Sequence, residues 1–241
     1  MVSGQEVGLR ERKKRETRAR IQQVGVALFA ERGFDHVSVT EIARQADVSP
    51  ATVFNYFPTK EDMVFHGMVE YTQQLVAQLR DRDPGVPVFE AFRASLLVPR
   101  GVLAGDDPEQ IEGLLRVRRI IAGSTTLQAR EQLIADAMVV DLAETIAGGE
   151  PDGVEPWFLA SAMIGILQGM TREIHRRAAL GHTGSQIAAA VIPQGTTAIQ
   201  ILEHGLRILT EDGAGPPASG RCLGWNDGGS ESNEGQRKDE E

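Results

Sequence analysis

Residues Ser38–Val64 read SVTEIARQADVSPATVFNYFPTKEDMV, and two helix starts are written into them. Ser38 with Glu41 three places on makes a capping box, hydroxyl and carboxylate each satisfying an orphan backbone donor. Val39, Ile42, Ala43 and Ala46 then recur at the spacing of one buried helix face. Asp47-Val48 is read as a tight turn, because Asp tolerates a left-handed backbone better than most residues. Ser49 caps a further helix, and Pro50 takes its first position, where a missing N–H costs nothing. Upstream, Ile21, Val24, Leu28 and Phe29 give a helix from about Arg12 to Arg32 one apolar stripe, and Gly33 ends it. Three helices with a tight turn between the last two form a helix-turn-helix pattern.

On a helical wheel for Ser49–Phe57, Thr52, Asn55 and Tyr56 share one arc, bordered by Ala51. Val53, Phe54 and Phe57 fall on the other side. The front carries hydroxyl, amide and phenol without long flexible charges. Such a front suits a major groove, where compact groups reach base edges and phosphate oxygens. Lys60 is expected in the first turn of the next helix, where the macrodipole disfavours a cation. A phosphate at that position would meet both the helix start and the ammonium.

At these residues, and over Ala19–Val64 as a whole, the chain resembles the TetR (tetracycline repressor) family of one-component regulators. The resemblance implies that Ser38, Thr40, Thr52, Tyr56 and Lys60 touch phosphate. It places Ala51, Asn55 and Arg44 nearest the bases, with Pro50 shaping the approach, and Ser49 is counted with the DNA-binding residues. Two positions depart from the family pattern: Asp47 replaces a usual Gly, and Phe54 replaces a usual Tyr that contacts phosphate.

The net charge of −9 argues against a nucleic-acid partner, but its distribution reverses that argument. Residues 1–60 carry ten Lys and Arg against seven Asp and Glu, while the remainder carries fifteen against twenty-seven. The cations concentrate at Arg10, Arg12, Lys13, Lys14, Arg15, Arg18 and Arg20. A basic end on an acidic body is the electrostatic footprint of a DNA-contacting domain.

Past Lys60 the sequence reads as helix throughout. A long helix reaches Arg82, with Val64, Met68, Tyr71, Leu75 and Leu79 facing inward. Further helices are read over Pro87–Val98, Pro108–Ala122, Thr125–Ala147 and Pro156–Leu180, and a last one ends near Leu209. Pro193 and Gly195 should break or delay that last helix. The expected fold is all-α: a basic N-terminal arm (1–18), a three-helix helix-turn-helix DNA-binding domain (19–60), a helical ligand-binding and dimerisation domain (61–210) and a disordered tail (211–241). The tail is rich in Gly, Ser and charge and holds the single Cys222, which excludes a disulfide framework within the chain. No apolar run is long enough to span a bilayer and no leader-like start is present, so a cytoplasmic protein without membrane contact is expected.

A homodimer surface is offered by Ser161, Gly165 and Gly169, a row of small residues at every fourth place, and by Ile199, Leu202 and Leu206. A small-molecule effector of unknown identity would be enclosed by Phe89, Phe92, Met138, Trp157 and Met163, with Arg116 and Arg119 as polar anchors. Enzymatic chemistry is not expected. The five His stand in no metal-ligand spacing, no phosphate loop follows a strand, and no cofactor is implied. A ligand-responsive regulator, most often a repressor acting on a double-stranded DNA operator, is the leading reading. A DNA-binding or protein-interaction module without effector is the alternative.

Overall fold

A computed structural model describes residues 3–211, and side chains from 8 to 205. The chain divides after Glu203 into a large unit and a second that begins at His204. Among the described residues the secondary structure is nine α-helices and two short 3-10 turns, without a strand, as an all-α chain requires. The expected tail, Leu206, Leu209 and Cys222 lie outside the described side chains.

Helix α1 spans Ser3–Arg32, so it begins well before the expected Arg12, and the basic segment is helical. A 3-10 turn at Phe34–His36 leads to α2 (Val39–Gln45) and α3 (Pro50–Tyr56). Both caps form as the sequence dictates. Ser38 and Glu41 make the full capping box, and Ser49 accepts from Thr52 N with Pro50 at the helix start. Asp47 is left-handed at φ 54°, the conformation needed to turn from α2 into α3.

The head buries Ile21, Phe29, Phe34, Ile42, Val53, Phe57 and Met63 in one core. Full burial of each such side chain stabilises the fold by about 1.5–3 kcal/mol. Gly25 gives α1 its clearance there, since a Cβ would come within 3.0 Å of the Met63 sulfur. That core does not stop at the head. Ile120 and Ile121 of α6 (Pro108–Ala122) and Leu127 and Ile134 of α7 (Thr125–Ala147) belong to it. Two polar contacts reinforce the junction: Ser124 Oγ donates to Asp35 Oδ1 at 3.3 Å, and Arg130 Nη2 to Asp62 Oδ1 at 3.4 Å.

The body adds α4 (Asp62–Arg80), α5 (Val88–Leu96), α8 (Glu155–Ala179) and α9 (Gly184–Glu211). Its core holds Leu75, Leu79, Phe92, Leu142, Met163 and Ile199. Met68, expected inside, is 37% exposed. The expected break in the last helix is also overturned, because α9 runs through Pro193. A proline inside a helix costs about 3 kcal/mol. Here its ring faces solvent, and buried Ile187, Val191 and Ile199 pin the helix on both sides of it. Gly195 is no breaker either: it lets α9 close on α8, where a Cβ would collide with the Met170 sulfur.

Candidate nucleic-acid interface

α3 is short, and an isolated helix of its length is not stable in water. It is fixed from behind by Val53 and Phe57, 0% and 1% exposed, and at its start by Ser49. Asn55 lies about opposite the Val53–Phe57 stripe on the wheel. Ser49, Pro50, Ala51 and Asn55 are exposed, and Thr52 and Tyr56 are half-buried. Ser38, Thr40 and Arg44 are exposed on α2 and its cap. The expected DNA-facing residues of α2 and α3 are therefore all at least partly accessible. Phe54 departs from expectation. It is 50% exposed, because the buried stripe is only wide enough for Val53 and Phe57.

Lys60 is the main correction. It precedes α4, so it is not a cation in a helix's first turn. Its Nζ donates to the carbonyls of Phe34 and Val37 at 2.9 and 3.1 Å and sits 4.1 Å from the Phe34 ring centroid. The ammonium closes the turn before α2, and two of its three donors are already used. Arg44 keeps its charge outward, in the last turn of α2 where the macrodipole favours it. Arg32 is held by Glu41 at 3.0 Å. The backbone N–H of Ser38 and the Arg32 guanidinium together hold the Glu41 carboxyl below its usual range.

A family model for bacterial regulatory proteins of the tetR family matches residues 21–66, which span the rear of α1 through the start of α4. Its N-terminal segment is of the tetR family. The chain is 27% identical over 177 residues to the transcriptional regulator TcmR of Streptomyces glaucescens, covering 71% of this chain and 78% of that one. To LuxR of Vibrio harveyi it is 48% identical over 44 residues, 18% of this chain and 22% of that protein. Among solved structures, GusR of Salmonella enterica is similar with a TM-score of 0.43 and 19% identity, over 77% of this chain and 96% of that one.

The residues expected in the body fall differently from those of the head. Phe92 and Met163 are both 0% exposed and packed in the body core, with Phe89 and Met138 against it. They fill space rather than line it. Arg116 pairs with Glu112 at 2.6 Å, Arg119 is exposed, and Trp157 is 38% exposed, so the expected chamber is not assembled from these residues. Ile199 is 1% exposed within the same core and so presents nothing to a partner. Leu202 is half-buried, while Ser161, Gly165 and Gly169 are exposed along α8.

A groove of about 520 Å³ runs between α8 and α9, lined by Gly165, Ile166, Gly169, Met170, Val191 and Ala198. Glu173 stands at its rim, its pKa held at about 2 by Arg176 and then Arg177. No sequence signal announced two other contacts. Arg18 Nη1 meets His66 Nε2 at 3.4 Å, and Asp106 caps α9 by accepting from Ser185 N at 2.7 Å. Among the described residues no group of three or more His, Cys, Asp or Glu could hold a metal.

Proposed function

We propose that this regulator is a cytoplasmic repressor that binds a palindromic double-stranded DNA operator as a homodimer and is released by a small, largely apolar effector. The orientation of α3 carries the reading: grease behind at Val53 and Phe57, compact polar groups in front at Asn55, Thr52 and Tyr56. One helix-turn-helix head reads one half-site, and two heads on a two-fold axis match half-sites one helical turn apart or multiples of it. The open α8 face with its row of small residues supports dimerisation, because it lets a second pair of helices approach closely. Ligand response is supported by the shared core of head and α6–α7. A displacement of α6 moves Ile120 and Ile121, which pack on the head, and so biases the spacing of the two recognition helices.

A DNA-binding or protein-interaction module without effector is the second reading, and the filled positions of Phe92 and Met163 favour it. Selection of bound fragments from the source genome tests the first claim, together with solution mass. A mass of two chains and enrichment of fragments with two-fold symmetry are expected. No enriched fragment would remove the DNA-binding reading. Enrichment that no small molecule reverses would leave the second reading standing.

A further inference from the structure

The cations at the start of α1 are not used by the α2–α3 front. Arg10, Lys14 and Arg18 recur at every fourth residue, so they form one strip about 12 Å long within about 80° of the helix surface. Like charges spaced four apart repel and weaken a helix standing alone. The acids do not relieve the strip. Glu16 pairs with Arg12 at 3.5 Å on another side, and Glu11 flanks the strip with no ion pair among the described residues.

The inner end of the strip is anchored beside the recognition helix. The Arg18 guanidinium lies 6.0 Å from the Tyr56 ring centroid, and Arg18 Nε is buried without a hydrogen-bond partner among the described residues. From Tyr56 the strip runs outward along α1 through Lys14 to Arg10, both exposed. Cations set against phosphates supply much of the affinity of proteins for duplex DNA. The α2–α3 front is short of them, because Lys60 is turned to Phe34 and Val37 and Arg32 to Glu41.

We propose that Arg10 and Lys14 grip the phosphate backbone of duplex DNA flanking the half-site that α3 reads, while Arg18, engaged with Tyr56 and His66, fixes the strip beside that helix. The proposal rests on the DNA-binding reading above and extends the contact surface beyond the helix-turn-helix. The strip reads no bases, so its contribution is independent of flanking sequence and depends on the length of the duplex and on salt.

The test uses the genomic fragment selected as above, trimmed to its protected core and, separately, extended by one helical turn at each end. The native chain should bind the extended duplex about tenfold more tightly than the core, with a steeper salt dependence. The variant R10A/K14A should bind the core as the native chain does, gain nothing from the extension, and lower the log–log salt slope by about 2 per chain. R10K/K14R, which keeps both charges, should restore the gain. Both residues are exposed, so an unchanged melting temperature excludes unfolding as the cause. A variant R10A/K14A that keeps the full gain from extension overturns the proposal while leaving core recognition intact. A native chain that binds neither duplex overturns both the proposal and the reading beneath it.

Discussion

Two helices of this chain present small side chains outward, α3 in the head and α8 in the body, on different foundations. α3 is held by what it buries: Val53 and Phe57 lie fully inside, and Ala51 and Asn55 are left at the surface. α8 spans Glu155–Ala179 and buries a longer stripe, Leu159, Ala160, Met163 and Ile164, and its outward Gly165 and Gly169 have nothing within 4 Å of where a Cβ would stand. Small residues on α3 offer hydrogen-bonding groups at close range. On α8 they offer clearance. The same residue type also serves inside the chain, where Gly184 and Gly195 bring α9 against its neighbours. Exposure and clearance, not residue identity, separate a partner surface from a packing device.

The foundation of α3 is broken most directly by Phe57→Ala. Removing a fully buried phenylalanine costs about 3–5 kcal/mol. Denaturant unfolding should show that loss, and DNA binding should fall with it. An unchanged midpoint would mean that the recognition helix is not held from behind. Gly184→Ala strikes the body instead. Its Cβ would run into the Val102 and Gly105 carbonyls, and backbone cannot give way as a side chain can. A loss of about 2–3 kcal/mol is expected in the same measurement. Gly195→Ala provides the contrast, because the atom it meets is the flexible thioether of Met170.

These sites differ in how far their causes lie along the chain, and that distance decided what could be read. The head announced itself because its signals are local: Ser38 with Glu41, Asp47 at the turn, Ser49 before Pro50. α6 and α7 were equally plain, since Asp107 and Ser124 cap their starts and Gly123 and Gly148 follow their ends. Lys60 was misplaced because the carbonyls it meets lie 26 and 23 residues earlier. Asp106, adjacent to a helix cap, serves a different helix, 79 residues on. Phe92 and Met163 could not be separated from pocket-lining residues, because side chains that fill a core and side chains that line a cavity follow one pattern. Pro193 carries a strong local veto, yet tertiary packing on both sides of it overrode that veto.

Asn55→Ala sharpens the head side of the comparison without touching its stability. Asn55 is exposed and lies opposite the buried stripe, so melting should not change. A side chain paired to a base edge contributes about 1–3 kcal/mol of discrimination. Competition between the selected fragment and random duplex should therefore show a reduced affinity ratio. An unchanged ratio would move base reading away from Asn55.

The smallest effect is also the one that divides the two surfaces most cleanly. At Gly165 an added methyl meets nothing in the single chain, and α8 gains from exchanging Gly for Ala by about 0.8–1 kcal/mol of helix propensity. If the α8 face is open to water, Gly165→Ala should raise the melting temperature and leave the mass unchanged. If a second chain crosses α8 at Gly165, the methyl holds the helices apart, so stability falls with dilution and the mass moves toward one chain. A rise in stability with an intact dimer would place the interface elsewhere on the body. A fall with dissociation would make Gly165 to α8 what Asn55 is to α3: a surface position set by what lies outside the chain.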